Sequence, residues 1–222
     1  MSGAFRKASA RASDTTDWMG ITRREDSIGD VRLVLASASP RRAELLTAAG
    51  IPFDVMPADV DETFDVEESP DGYVRRIAQT KAEVVAARIA GRPVLAADTV
   101  VLVDNTILGK PADSADARRM LRLLSGRGHV VVTGVCLINP HATSGRVQTI
   151  TARTTVGFAP LTDAEIDWYV ASGEPADKAG AYAVQGLGSR FVTAIEGSYS
   201  NVVGLPVALV YDLCKREGLL VS

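Results

Sequence analysis

Between Pro93 and Val103 the chain reads PVLAADTVVLV, a near-continuous apolar and β-branched run. A strand without polar alternation has no face to give to water, so it must be covered on both sides, and the fold must supply a layer above and a layer below it. One residue interrupts the run. Asp98 carries a carboxylate into that environment, where it needs a cation or several hydrogen-bond donors to stay ionised. Either it caps a neighbouring loop, or it belongs to a site, since perturbed buried carboxylates collect at functional sites.

The covering layers can be read on either side of that run. After Val31, strand and helix signals alternate, which predicts an α/β layer fold. Val31 to Ala36 reads as a strand, Pro40 to Ala49 as a helix closed by Gly50, and Phe53 to Met56 as a second short strand. Ser69 to Ile89 reads as a long helix with an apolar stripe at Val74, Ile77, Ala78, Val84 and Val85. Lys81 stands near the middle of that stripe, where its charge is out of place unless its stem lets it snorkel to water. Asp113 to Leu124 is an amphipathic helix ending at Gly126. His129 to Ile138 and Val147 to Phe158 are expected to form a hairpin around Asn139, Pro140, Ser144 and Gly145. Thr162 to Ala171 is a helix whose Thr162 and Glu165 match a capping box. A glycine-rich loop from Gly173 to Gly188 follows, then a strand from Arg190 to Ile195, a second loop from Gly197 to Leu205, and a helix from Pro206 to Glu217.

Composition narrows the function classes. The 222 residues are 46% apolar and 23% charged, enough for one sizeable core, and a single domain is expected over residues 31–222. Residues 1–30 are rich in Ser, Thr, Arg and Asp, show no helical or strand period, and read as a flexible extension. Net charge is −3 with no basic run, so duplex nucleic acid is not the expected partner and any bound polyanion is small and locally gripped. No apolar run reaches membrane length. Cys136 and Cys214 lack CxxC spacing, which argues against a disulfide framework or a zinc knuckle and makes the cytoplasm the expected compartment. His129 and His141 are the only histidines, so a divalent ion would have to sit on carboxylate and phosphate oxygens.

An anion of that kind has an obvious landing place. Ser39 stands at an N-cap position and Pro40 at the first helical position, so Arg41 and Arg42 fall in the first turn. That is the positive end of the helix dipole. Each cation there costs a few tenths to ~1 kcal/mol unless an anion compensates, and free amides beside two guanidiniums suit a polyanion. The plainer alternative pairs Arg42 with a nearby carboxylate and leaves Arg41 solvated. Gly109-Lys110-Pro111 is not a P-loop, because proline follows the lysine, and Gly186-Leu187-Gly188 lacks the third glycine of a dinucleotide fingerprint. The Gly173–Gly186 stretch concentrates Glu174, Asp177, Lys178, Tyr182 and Gln185 among glycines. A glutamine amide offers one donor face and one acceptor, matching the O4 and N3–H edge of uracil or thymine.

Taken together, SASPRR (37–42), Val60-Asp61-Glu62, Lys81, AADTVV (96–101), LGKP (108–111), SGRGHVVVTG (125–134), GEPADKAGAYAVQG (173–186) and NVVGLP (201–206) resemble the Maf family of nucleotide pyrophosphatases. The resemblance covers nearly everything after residue 31. It implies a Maf/ITPase-like α/β fold: a twisted mixed sheet with flanking helices and a cleft between two lobes. It also implies cleavage of nucleoside triphosphates to the monophosphate and pyrophosphate with a divalent cation, Mg2+ or Mn2+, by a homodimer. Arg41, Thr99 and Gln185 match the branch acting on dTTP and UTP. The nearest rival branch takes 7-methyl-GTP and carries glutamate where this chain has Gln185.

The resemblance makes Asp98 the catalytic carboxylate, orienting or deprotonating the attacking water directly or as a metal ligand, and Glu62 is expected to add a second oxygen ligand. Lys81 joins Asp98 in the catalytic group, while Ser39, Arg41, Arg42, Thr99, Lys110, Lys178 and Gln185 are expected to hold substrate. A reading from another class is a nucleotide-sensing regulator of division, in which binding matters and turnover is incidental. One geometric condition accompanies the assignment. Neighbouring strand residues face opposite ways, so Asp98 and Thr99 can both line one cleft only if the strand ends or bulges there.

Overall fold

The apolar run forms a ten-residue strand, β3 (Val94–Val103), at the centre of a seven-stranded mixed sheet. The computed structural model describes residues 31–65, 67–142 and 146–220; the expected extension over 1–30 and the hairpin residues Ser144 and Gly145 lie outside them. β1 (Leu33–Leu35) runs parallel to both β3 and β2 (Phe53–Val55). On the other side, β5 (Gly128–Ile138), β6 (Val147–Phe158) and β7 (Val192–Glu196) follow in antiparallel order.

Both faces of β3 are covered, as its composition requires. Val94 and Ala96 pack with Ala78, Ala82 and Val85 of α2 (Pro70–Ala86), and Val100 with Val74 and Ile77 of the same helix. On the opposite face Leu95 and Ala97 meet Leu46 of α1 (Pro40–Ala48) and Val210 and Leu213 of α6 (Val207–Arg216). Further along, Val101 and Val103 join Leu121 and Leu124 of α3 (Ser114–Leu124) and Ile166 and Tyr169 of α4 (Asp163–Ala171). The helices begin where their caps predict. Asp113 accepts from the Asp116 N–H, and Thr162 and Glu165 form the reciprocal capping box. No helix among the described residues is long and apolar enough to cross a membrane.

Several elements depart from expectation. A short strand, β4 (Thr106–Leu108), pairs antiparallel with the end of β3 and has no clear signal in three residues. The helix expected to reach Ile89 stops at Ala86, ahead of Gly91 with its φ of 69° and of Pro93. The strand expected from Arg190 starts at Val192, because Leu187–Phe191 coils into a 3-10 turn. The second polar loop contains a helix, α5 (Tyr199–Val203), capped by the Ser198 hydroxyl and closed at Gly204.

Pairing along β3 is lopsided, and that asymmetry places the site. β5 pairs with β3 continuously from Val94 to Leu102. On the other edge β1 pairs only with Val94 and Leu95, and β4 only from Val101 to Val103. From Ala96 to Val100 that edge carries no strand partner among the described residues.

Gly134 of β5 lies directly opposite Asp98. A Cβ there would overlap the Val74 carbonyl and come within 2.8 Å of the Arg75 nitrogen, so glycine lets the α2 backbone rest on the sheet. Gly134→Ala is therefore expected to cost ~1–3 kcal/mol by overpacking, read as a lower urea midpoint at unchanged m-value. Gly128→Ala, where nothing lies within 4 Å, is the control and should leave the midpoint unmoved apart from a strand-propensity effect. Equal midpoints for the two variants would refute the close approach.

Candidate active site

A cleft of about 400 Å³ opens at the unpaired stretch of β3, within the size range of small-ligand sites. The end of β1 and the start of α1 form one wall, the β4 turn and the glycine-rich segment the other, and every residue nominated from the sequence lines it. Asp98 and Thr99 both face the cleft, although β3 neither ends nor bulges there. The expected condition was too narrow. The neighbouring strand ends instead, so the cleft wraps around a bare strand edge and receives side chains from both faces of the sheet.

On the α2 face, Asp98 is buried and its Oδ1 accepts from the Lys81 ammonium at 2.7 Å. The same ammonium lies 2.6 Å from Oε1 of Glu62, which is half exposed. Lys81 therefore does not snorkel to water but joins two carboxylates. Glu62 is held there by its loop: Asp61 accepts from the Thr63 N–H at 2.9 Å, and the Tyr73 hydroxyl donates to the Glu62 carbonyl at 2.8 Å. Burial pushes the Asp98 carboxyl above its ordinary value, and the charge and hydrogen bond of Lys81 only partly oppose that. Burial also lifts Glu62, but Lys81, Lys110 and Arg42 outweigh it and leave that carboxyl lowered.

On the opposite face, Arg42 is buried without a carboxylate partner among the described residues. Its Nε donates to the Gly204 carbonyl at 2.9 Å, one terminal nitrogen to the Ser37 hydroxyl at 3.0 Å, and the other to Thr99 Oγ1 at 3.1 Å. All three acceptors are neutral. Three of five N–H groups are used and two remain for a ligand. Burial pushes the guanidinium pKa down, with the Asp98 charge opposing, yet an arginine stays protonated. Gly204 takes φ 125°, a conformation that side chains resist, and so its carbonyl reaches Arg42.

Ser39 occupies the N-cap of α1 but its side chain makes no capping bond; the Ser37 hydroxyl accepts from both Ser39 N–H and Arg42. Arg41 is not merely solvated. It donates to the Asp177 carboxylate at 2.9 Å and the Asp177 carbonyl at 3.3 Å, while Lys178 pairs with the same carboxylate. Burial nudges Asp177 up, but Lys178 and Arg41 outweigh it and hold that carboxyl at about 2.

The two rims are joined where the Gly180 N–H donates to the Gly109 carbonyl at 3.0 Å, which brings the Lys110 and Lys178 segments together. Gln185 is exposed on the cleft wall. Sequence reasoning missed Ser37, Tyr73 and the Gly204 carbonyl. Tyr73 could have been found two helical i+4 steps before Lys81; the carbonyl left no signal. His129 is buried with Nε2 2.8 Å from the Tyr182 hydroxyl, and burial pushes its pKa down to about 4, so it stays neutral.

The oxygens suit a hard divalent cation. The bonds to Lys81 engage Oδ1 of Asp98 and Oε1 of Glu62, leaving one oxygen on each carboxylate. Such an ion takes one or two carboxylates and completes its shell with phosphates and water. Among the described residues no group of three or more His, Cys, Asp or Glu side chains forms a cage.

A mixed sheet with a bare central edge, a buried lysine–carboxylate pair on one side and a buried guanidinium on neutral acceptors on the other defines an α/β protein built around a small charged cleft. More particularly, the chain belongs to the Maf family: the family model described as Maf-like protein matches residues 32–217. It is 53% identical over 188 residues to a dTTP/UTP pyrophosphatase of Koribacter versatilis (strain Ellin345), covering 85% of this chain and 95% of that one. A relative of the same name from Anaeromyxobacter dehalogenans (strain 2CP-C) is 54% identical over 187 residues, covering 84% and 94%. The fold also matches the structure of a HAM1 protein from Coxiella burnetii, with TM-score 0.50 and 17% identity over 84% of this chain and 99% of that chain.

Lys81 sets the energetics of the site. Lys81→Met would strand Asp98 in its buried position and is expected to cost ~3–5 kcal/mol at neutral pH. Asp98 binds its proton more tightly folded than unfolded, so its ionisation makes stability fall as pH rises from 3.8 through the raised folded value. Without Lys81 that folded value climbs further. The deficit should therefore shrink as pH is lowered from 8 towards 5, measured by urea unfolding; a pH-independent deficit would contradict the pairing.

Proposed function

We propose that this protein hydrolyses dTTP and UTP to the nucleoside monophosphate and pyrophosphate. The observation that carries this reading is the buried, carboxylate-free Arg42 facing the Lys81–Asp98–Glu62 group across one bare strand edge. It is supported by relatives named dTTP/UTP pyrophosphatase at about half identity over most of the chain. Arg41, Thr99 and Gln185, which match the branch of that name by resemblance, all face the cleft.

In this reading Arg41, Arg42, Lys110 and Lys178 hold the phosphates, with Ser39 at the helix start and Thr99 beside Arg42. Water attacks the α-phosphorus, the bond from that phosphorus to the bridging oxygen breaks, and pyrophosphate leaves with the bond electrons. Asp98 takes the proton of the attacking water; its raised pKa makes it a stronger base than an ordinary aspartate. Lys81 keeps that carboxylate in place and stabilises it once ionised. The fixed cations stabilise the charge gathering on the leaving group, each well-aimed donor lowering the barrier by ~3 kcal/mol. A bound Mg2+ or Mn2+, held by Glu62 through the oxygen that Lys81 leaves free, would neutralise phosphate charge; Asp98 as a second ligand is the alternative to Asp98 as base. The cytoplasm is the compartment that fits two buried free cysteines and a nucleotide substrate.

Pyrophosphate release with Mg2+ or Mn2+ across dTTP, UTP, CTP, GTP and 7-methyl-GTP tests the proposal. Turnover of dTTP and UTP is expected, falling ~10²–10⁴-fold in Asp98→Asn. Activity confined to 7-methyl-GTP, or tight binding without turnover, would overturn it. The kcat/KM of the wild type should fall on the acid side at a pH above 3.8, where Asp98 takes up its proton.

A further inference from the structure

Of the cations that line the cleft, Arg42 donates only to neutral acceptors, whereas Arg41 and Lys178 both meet a single carboxylate, that of Asp177. One terminal nitrogen of Arg41 donates to Oδ2 at 2.9 Å, across the cleft from the first turn of α1, and Lys178 takes Oδ1. Both oxygens of the acid are spent on these two cations. Among the described residues Asp177 is also the one carboxylate that either cation touches. Two charges expected to grip phosphate are therefore already occupied by an anion of the protein itself.

Three properties of the contact bear on what it does. The acid stands in water: its side chain is 60% exposed, against 24% for Arg41 and 15% for Lys178. An ion pair with so exposed an acid is weak, and a phosphate chain of higher charge outcompetes it. The carboxylate is also not needed to place Arg41, because the other terminal nitrogen donates to the Asp177 backbone carbonyl at 3.3 Å. Finally, the acid stays charged: against the lift of burial, Lys178 and Arg41 hold its carboxyl at about 2. The first turn of α1 has no acidic residue of its own, so Asp177 is the anion that faces the positive end of that helix. A bound phosphate would take the same place.

We infer that Asp177 is an internal competitor: it occupies Arg41 and Lys178 in the ligand-free protein, a phosphate chain binds them by displacing it, and pyrophosphate leaves as it returns. The inference rests on the phosphate-holding roles proposed above and adds the residue that limits how tightly the site holds phosphate. A ligand that uses these cations binds with its intrinsic affinity reduced by the fraction of molecules in which the acid has let go. Arg42, with no acid to give up, imposes no such penalty. The consequence for turnover is direct, since pyrophosphate held as tightly as four unopposed cations allow would leave slowly.

The test is the calorimetric Kd of inorganic pyrophosphate, in the presence of Mg2+, for the full-length wild type, Asp177→Asn, Arg41→Gln and the double variant. Thermal unfolding of each is followed with and without saturating pyrophosphate. Asparagine keeps the shape and a side-chain acceptor for Arg41 while removing the charge. Asp177→Asn is expected to lower Kd fivefold or more. In the Arg41→Gln background the same change should give a gain at least twofold smaller, because half of the competition is already gone. Without ligand Asp177→Asn should melt below the wild type, and with saturating pyrophosphate that order should vanish or reverse, since the complex lacks the pair that the variant has lost. A residue that merely orients Arg41 predicts the opposite. A raised or unchanged Kd in Asp177→Asn, or a melting deficit that persists with ligand, would overturn the inference. A gain of undiminished size in the Arg41→Gln background would overturn it too, leaving a general effect of charge. If neither the wild type nor Asp177→Asn binds pyrophosphate, the phosphate-holding roles fail together with the inference. Binding without turnover of dTTP or UTP instead fails the proposed function alone, which keeps the two failures apart.

Discussion

β3 is hydrogen-bonded along its length on one edge and only near its two ends on the other, and the rest of the molecule follows from that imbalance. An unpartnered strand edge inside a sheet exposes backbone polar groups, which a protein must cover, charge or use. Here β1 turns into α1 and β4 turns into the Lys110 segment, and the gap between them becomes the cleft. Because the opening is an edge and not a face, residues of opposite strand parity serve one site. Asp98 reaches in from the α2 side and Thr99 from the α1 side.

The charges in that gap would destabilise an ordinary core. A buried guanidinium, a buried ammonium and a buried carboxylate each lose hydration, and a pair removed from water gains stability only where its geometry is good. Lys81 meets that condition by contacting two carboxylates at once. Arg42 meets it with three neutral acceptors and so retains net positive charge directed at the cleft. The asymmetry is chemically useful: the α2 wall sets one ammonium against two carboxylates, while the opposite wall is left short of negative charge. The arginines at the positive end of α1 conform to the same pattern, with Asp177 from the other rim supplying the anion that the first turn of α1 lacks.

Much of this is legible in the sequence. The long helices, the hairpin strands and both covering layers follow from periodicity and caps, and those signals survive because they are local. Asp98, Lys81, Arg41 and Arg42 stand out by a different logic, since each breaks a rule of its element: an acid in an apolar strand, a lysine on an apolar stripe, arginines at the wrong end of a helix; Glu62 and Thr99 break none and enter only through the resemblance. Ser37 broke no rule and was passed over for Ser39, which has the better capping position but makes no capping bond. β4 and α5 were missed because three and five residues are too few for a period to show.

Hydrophobic period and capping chemistry act over a few residues, and so they suffice to make this chain an α/β protein with an acid in an apolar strand, a misplaced lysine and a cationic helix start. Long-range packing is what joins Lys81 to Glu62 and Asp98, leaves Arg42 with no carboxylate among the described residues, and requires Gly134, Gly186 and Gly188 to make room for Val74, Glu174 and Tyr169. Those outcomes depend on which strand stops short of which neighbour and on how closely two backbones approach. Such distances are set by packing between segments far apart in the chain.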